Sequence, residues 1–108
     1  MAEDIMEKIQ SQIDGNKIII YMKGTREMPM CGFSARTVKL FESYRVPFET
    51  VNVLADPELR EAIKRFSNWP TLPQVYINGE FIGGCDICLE MHERGELESL
   101  VRKAAEES

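Results

Sequence analysis

The chain has 108 residues, 44% of them hydrophobic, which predicts one domain over residues 1–108 with its own core and is too few for two. Its 13 basic and 18 acidic residues give a formal charge of -5, which disfavours nucleic acid as a partner. No apolar run approaches the roughly 18 residues of a membrane span, and the N-terminal sequence lacks the features of a signal or transit peptide, so we expect a soluble, untargeted chain.

The first half of the chain predicts a helix and then a βαβ unit. Apolar residues at helical spacing predict a first helix that ends at the turn DGNK: Met6, Ile9 and Ile13. The run KIIIYM, residues 17–22, predicts a strand buried on both faces, and a loop follows it up to Cys31. A second helix opens just after Cys31 and ends before the next strand, VPFETVNV. Its apolar stripe is Thr37, Leu40, Phe41 and Tyr44.

The second half predicts one helix, a hairpin and two more helices. Asp56 is expected to cap the third helix, with Pro57 at its first position. The segments QVYI and EFIG flank Asn78-Gly79, which predicts a β-hairpin with a type I′ turn. A short helix is expected to start at Asp86. The buried stripe of the third helix is Leu59, Ala62, Ile63 and Phe66, and the last helix is marked by Leu97, Leu100, Val101 and Ala104.

The resulting order, α-β-α-β-α-β-β-α-α, belongs to the α/β class. A right-handed βαβ unit followed by an antiparallel hairpin predicts a mixed sheet of about four strands with helices on both faces. In such sheets ligands bind where strands end and helices begin, which places the loop from Lys23 to Cys31 at the expected site.

Cys31 is the main candidate for chemistry. Three cysteines are an odd number, which favours reduced thiols in a reducing compartment over a secreted disulfide framework. A helix N-terminus beside Cys31, together with the charge of Lys23, favours the thiolate over the thiol. The alternative is a small buried apolar cysteine, which Pro29 and Gly32 near it make less suitable.

Ser34 stands where a dithiol reductant would carry its resolving cysteine. A hydroxyl cannot form a disulfide, so the sulfur of Cys31 needs a partner from elsewhere. Either a small thiol such as glutathione completes a redox cycle, or the thiolate is a metal ligand whose other partners lie outside this loop.

The segments KGTREMPMCGFS and WPTLPQVYINGEFIGGCD, with the N-terminal helix, resemble the monothiol glutaredoxins of the CGFS type over nearly the whole chain. The resemblance implies a thioredoxin fold, glutathione binding and a [2Fe-2S] cluster held between two subunits. Such a cluster takes four thiolates, and Cys31 and one glutathione from each of two chains supply four. The resemblance therefore implies a cluster-bridged homodimer.

Two functions follow from this resemblance. The first is a carrier that assembles the cluster with another copy or with a BolA-type protein and passes it to acceptor apoproteins. The second is an enzyme whose Cys31 attacks glutathionylated proteins and is regenerated by a second glutathione. The segment GTREMP lengthens the loop before Cys31 and is expected to obstruct the enzymatic geometry.

The resemblance also implies a glutathione site. Lys23 and Arg60 would meet the glycyl carboxylate of the tripeptide. The backbone of Leu72, before a cis Pro73, would pair with the cysteinyl portion. The N–H groups of Cys85 and Asp86 would receive the γ-glutamyl carboxylate, and the carboxylate of Asp86 would face the ammonium. Phe33 is expected to pack either near the cluster or at the helix start, and Trp69 to support the loop.

Cys85, Cys88 and His92 form the pattern C-x-x-C-x-x-x-H. With Cys31 they fit a Cys₃His zinc site, and the cysteine pair alone fits a separate dithiol site. We favour neither, because the pair follows a glycine doublet within the expected glutathione site and Cys88 falls where an aliphatic residue is expected on the buried face. His92 is expected at the surface. A regulatory disulfide between Cys85 and Cys31 under oxidation is a further hypothesis.

The segment KGTREMPMCGFS is similar to cyanobacterial and plastid sequences as much as to proteobacterial ones. We therefore expect a cytoplasmic location for a bacterial protein, and a mitochondrial or plastid matrix for a processed eukaryotic form.

Overall fold

A four-stranded mixed sheet lies at the centre of the protein. The computed structural model describes residues 2–106, with side chains from residue 4 onward. The strands lie in the order β2-β1-β3-β4; β1 pairs with β2 in parallel, and the other two pairings are antiparallel. Their bounds are β1 Ile18–Met22, β2 Glu49–Asn52, β3 Gln74–Ile77 and β4 Glu80–Gly83. This confirms the predicted mixed sheet.

Helices cover both faces of the sheet, as predicted. Their bounds are α1 Ala2–Asp14, α2 Gly32–Ser43, α3 Pro57–Ser67, α4 Cys85–Glu93 and α5 Glu96–Glu106. Helices α1 and α3 pack on one face, and α2, α4 and α5 pack on the other. Among residues 2–106, none of these helices combines the length and the apolar character needed to cross a bilayer.

The β-branched run of β1 explains the two-sided core. Side chains alternate between the faces of a strand, so Ile18, Ile20 and Met22 enter the cluster with α2, α4 and α5. Ile19 and Tyr21 enter the cluster with α1 and α3. All five side chains are buried, which confirms the predicted strand with two covered faces.

One helix cap and one β-turn were predicted correctly from the local sequence. The Asp56 carboxylate accepts a hydrogen bond from the Leu59 N–H at 3.2 Å, and Pro57 is the first residue of α3. Asn78 and Gly79 both have positive φ, 53° and 82°, as a type I′ turn requires.

Two predicted boundaries were wrong. The second strand was expected over 46–53, but β2 is shorter and a 3₁₀ turn, Val53–Ala55, follows it. The turn forms because the Asn52 side chain accepts a hydrogen bond from the Leu54 N–H and caps it. The fourth helix was expected to start at Asp86, but it starts at Cys85, with Gly84 as its N-cap.

Cys88 belongs to the core. Its side chain is fully buried in the cluster with α2 and α5, and this burial raises the pKa of its thiol from an ordinary 9.0 to about 12. The folded protein therefore keeps this thiol protonated at a pH where the unfolded chain releases the proton. The stabilisation that follows is complete below pH 9 and is lost as the pH rises towards 12.

Cys88→Ala should remove this pH dependence. Between pH 8 and pH 10 we expect the wild-type free energy of unfolding to fall by about 1 kcal/mol more than that of the variant. Urea denaturation at the two pH values measures the difference. Val38→Ala, in the same cluster and without an ionisable group, is the control and should keep the wild-type pH dependence. Parallel pH profiles for wild type and Cys88→Ala would contradict the assignment.

Candidate functional site

The sheet topology brings three distant segments to one edge. Lys23 follows the end of β1, and Pro73 precedes the start of β3, which is antiparallel to β1. Strand β4 is antiparallel to β3 in turn, so Gly84 and the start of α4 lie at this same edge. The loop that leads to Cys31 and α2 completes the set.

A cleft of about 490 Å³ lies at this edge. It is the size of a typical small-molecule site. Every site residue proposed from the sequence lines it: Lys23, Cys31, Arg60, Leu72, Cys85 and Asp86. Phe33 and Trp69 line it as well.

Cys31 is half-buried and is the N-cap of α2. The backbone N–H of Ser34, in the first turn of the helix, is the largest influence that holds the pKa of the Cys31 thiol below its ordinary value. Burial opposes this shift, whereas the N–H of Phe33, the charge of Lys23 and the Ser34 hydroxyl add to it. The direction agrees with the thiolate expected from the sequence.

Ser34 has a structural role that the sequence reasoning missed. Its side chain is fully buried, and its hydroxyl accepts a hydrogen bond from the Lys23 N–H at 3.2 Å. The serine therefore joins the end of β1 to the first turn of α2. The buried stripe of α2 begins three residues before Thr37, and extending that stripe backwards would have revealed the position.

Two cations of the cleft lack a counter-ion. Among the described residues, neither the Lys23 ammonium nor the Arg60 guanidinium makes an ion pair, and the Nε of Arg60 is buried without a hydrogen-bond partner. Lys64, a third cation that the sequence reasoning missed, lines the cleft from the next turn of α3 and pairs with Glu61 at 3.5 Å. Its i,i+4 spacing from Arg60 was the available signal. This wall of the cleft suits an anion.

The opposite wall offers backbone groups. The Leu72–Pro73 peptide bond is cis, as the resemblance implied. Among the described residues, neither the N–H nor the C=O of Leu72 has a hydrogen-bond partner. The fully buried Gln74 holds the chain just before Leu72 in place. Its side-chain N–H₂ donates to the carbonyls of Trp69 and Thr71 at 3.0 and 3.2 Å.

The start of α4 forms the end of the cleft. Its first intrahelical hydrogen bond runs from the Cys88 N–H to the Gly84 carbonyl, so the N–H groups of Cys85 and Asp86 have no acceptor within the helix. A Cβ at Gly84 would lie only 3.2 Å from the Pro73 carbonyl oxygen, which explains the glycine. Nε1 of Trp69 is buried without a partner beside it. The Asp86 side chain is exposed, with no ion pair among the described residues.

The described residues do not form the alternative Cys₃His zinc site. Among the described residues, no three His, Cys, Asp or Glu side chains are grouped to hold a metal ion. Cys88 is buried in the core, and the Nδ1 of His92, which is exposed as expected, lies 2.6 Å from the Tyr44 hydroxyl. Cys88 is also protonated at neutral pH, which argues against a C-x-x-C dithiol site. Cys85 is buried at the cleft that Cys31 also lines, and their disulfide stays a prediction.

The longer loop does not fill the cleft. Residues 24–30 contribute nothing to its lining, and the expected obstruction of the enzymatic geometry by GTREMP stays a prediction. The loop turns back on itself, with reciprocal backbone hydrogen bonds between Thr25 and Met28 at 3.1 Å. Arg26 attaches it to the body of the protein by an ion pair with Glu42 at 3.1 Å and by packing over the ring of Phe48 at 3.8 Å.

Comparison with known proteins shows similarity to glutaredoxins. The glutaredoxin family model matches residues 18–82. A probable monothiol glutaredoxin 2 of Rickettsia typhi is 52% identical over 102 residues, which cover 94% of this chain and 92% of that protein. The chloroplastic monothiol glutaredoxin-S14 of Arabidopsis thaliana is 50% identical over 102 residues, which cover 94% of this chain and 57% of that protein.

The fold is also shared with solved structures. The crystal structure of the buckwheat glutaredoxin–glutathione complex superposes with a TM-score of 0.85, at 24% identity, over 95% of this chain and 92% of that one. The mixed sheet and five helices are thus the predicted thioredoxin fold. With a lone Cys31 at the start of α2, Ser34 in the CGFS sequence and matches over nearly its whole length, the chain belongs to the monothiol glutaredoxin family.

Proposed function

We propose that this glutaredoxin binds glutathione beside Cys31, assembles a [2Fe-2S] cluster with a second copy of itself, and passes the cluster to acceptor apoproteins. The observation that carries the proposal is one cleft that holds a half-buried Cys31, whose thiol pKa is lowered, together with Lys23 and Arg60, which have no counter-ion among the described residues. A thiolate and unpaired cations in one cleft call for a ligand that brings carboxylates and a second sulfur.

Glutathione matches the cleft group by group. Its glycyl carboxylate suits Lys23 and Arg60, whose buried Nε has no partner in the protein. Its peptide backbone suits the unpaired N–H and C=O of Leu72. Its γ-glutamyl carboxylate suits the free N–H groups at the start of α4, and its ammonium suits Asp86. The buckwheat glutaredoxin that shares this fold is described as a complex with glutathione.

The thiolate count supports a cluster shared between two chains. A [2Fe-2S] cluster takes four thiolates, and the cleft of one chain offers Cys31 together with the sulfur of one bound glutathione. Cys88 is buried and protonated, so it is unsuited to be a ligand. Two chains and two glutathiones complete the set of four thiolates. The cluster is then cargo, and it leaves when the ligands of an acceptor protein replace these thiolates.

Exposed apolar side chains beside Cys31 support an interaction with another protein. Met28, Met30 and Phe33 are 69%, 64% and 51% exposed, although they are large and apolar. Phe33 lines the cleft, and Met28 and Met30 lie three residues and one residue before Cys31 in the sequence. A second copy, a BolA-type protein or an acceptor apoprotein would cover them while it reaches the sulfur of Cys31.

The relatives fit a reducing compartment. One belongs to a bacterium and another is chloroplastic. All three cysteines are free thiols in the described structure, which suits such a compartment. We propose the cytoplasm for a bacterial protein, or an organelle matrix for a processed eukaryotic form.

Removal of either free cation should weaken glutathione binding. We expect Lys23→Gln and Arg60→Gln each to raise the dissociation constant of glutathione about tenfold, because each removes a charge-assisted hydrogen bond. Titration calorimetry with reduced glutathione measures the change. Lys103→Gln, an exposed change on α5 away from the cleft, is the control. Equal affinities in all four proteins would contradict the site.

Cluster assembly is tested by anaerobic reconstitution with iron, sulfide and glutathione. The wild type should give a coloured species that elutes as a dimer, whereas Cys31→Ser should stay colourless because it lacks the thiolate. Size exclusion with visible absorption measures both properties. Cys88→Ala, which removes a thiol outside the cleft, should keep the colour. A coloured Cys31→Ser dimer would overturn the assignment of the ligand.

The second candidate is a glutathione-dependent oxidoreductase, which the lowered pKa of Cys31 and the open cleft favour. The Cys31 thiolate would attack the glutathione sulfur of a mixed disulfide and release the protein thiol. A second glutathione would then attack the resulting Cys31–glutathione disulfide and leave as glutathione disulfide, so that the electrons balance.

Turnover separates the two candidates. With a glutathionylated peptide as substrate, we expect release to be feeble, well below that of a dithiol glutaredoxin assayed in parallel, together with full cluster assembly. Rapid turnover that Cys31→Ser abolishes, with no cluster on reconstitution, would instead favour the enzyme.

A further inference from the structure

We propose that Asn52, which lies at the end of β2 and outside the cleft, is a positioning residue that holds Lys23 beside Cys31. The proposal rests on the proposed glutathione site. The affinity of Lys23→Gln tests that site, and the Asn52 variants test the positioning role separately. Asn52 and Lys23 are far apart in the sequence, and no motif connects them. The structure joins them through a single side-chain oxygen.

That oxygen serves two segments. The Asn52 Oδ1 accepts a hydrogen bond from the Gly24 N–H at 2.9 Å and another from the Leu54 N–H at 3.0 Å. Asn52 is also paired in register with Met22, the last residue of β1. It therefore sits where the chain leaves the sheet towards Cys31, and it ties that exit to the 3₁₀ turn after β2.

The backbone on both sides of this bond is tightly held. The Lys23 N–H donates to the Ser34 hydroxyl at 3.2 Å, and the Lys23 carbonyl accepts from the Met30 N–H at 2.9 Å. Gly24 has a φ of +92°, and a Cβ there would lie 2.5 Å from the Met30 nitrogen and 2.6 Å from the Met28 oxygen. Lys23 is thus held from α2, from the loop and, through Gly24 and Asn52, from β2.

Loss of Asn52 would leave the buried Gly24 N–H without its acceptor. An unsatisfied buried donor is costly, so the start of the loop would shift to let water reach it. Lys23 would move with it. Coulomb attraction falls with distance, so the Lys23 charge would then hold a carboxylate in the cleft less well.

The test compares Asn52→Leu, which removes the acceptor at similar volume, with the control Thr50→Val. Thr50 lies on the same strand, and its side chain makes no hydrogen bond among the described residues. The readout is the dissociation constant of reduced glutathione, measured by titration calorimetry at one fixed pH. We expect Asn52→Leu to shift the dissociation constant upwards about threefold, less than the loss expected for Lys23→Gln. Thr50→Val should match the wild type.

A double variant distinguishes positioning from general loosening of the fold. In a Lys23→Gln background, the charge is already absent, so Asn52→Leu should cause no further shift. An equal shift in both backgrounds would show that Asn52 does not act through Lys23 and would overturn the proposal, as would an Asn52→Leu dissociation constant equal to that of the wild type. Should Asn52→Leu fail to fold, Asn52→Ser is the milder variant, with the same expectations.

Discussion

The site depends on the position of Cys31 at the start of α2, where the backbone N–H groups of Ser34 and Phe33 lower the pKa of its thiol. A half-buried thiolate loses part of its hydration, and the field of these N–H groups offsets that loss. This requires the helix to begin at Gly32, immediately after the cysteine. The buried hydroxyl of Ser34 then fastens that turn to the end of β1. A cysteine at position 34 would lack this strong hydrogen-bond acceptor. The serine that leaves Cys31 without a resolving thiol therefore also fixes the start of α2.

The cleft differs in charge from the rest of the protein. The chain carries a net charge of -5, yet Lys23 and Arg60 face the cleft without counter-ions among the described residues. Uncompensated charges near a half-buried sulfur cost stability unless they serve a ligand or an ionised group. The charge of Lys23 already helps to lower the pKa of the Cys31 thiol. The carboxylate of the proposed tripeptide would pair with both cations. The buried Gln74 supports the opposite wall and keeps the backbone of Leu72 available.

Three cysteines occupy three environments, and these decide what each can do. Cys31 stands at a helix N-terminus, which lowers the pKa of its thiol, whereas Cys88 is enclosed by apolar side chains and keeps its proton up to about pH 12. Cys85 lies between these extremes, buried but on the cleft lining. The C-x-x-C spacing alone does not distinguish a redox pair from one core thiol beside one site thiol.

The sequence by itself determined what depends on local chemistry. It predicted the order of elements, the cap at Asp56 and the turn at Asn78, because these need only neighbouring residues; the motifs carried the family and the cleft residues. Only the tertiary structure showed that the Ser34 hydroxyl joins α2 to the end of β1 and that Gln74 and Asn52 hold the site. These roles depend on contacts between segments distant in the chain, which periodicity and motif spacing do not encode.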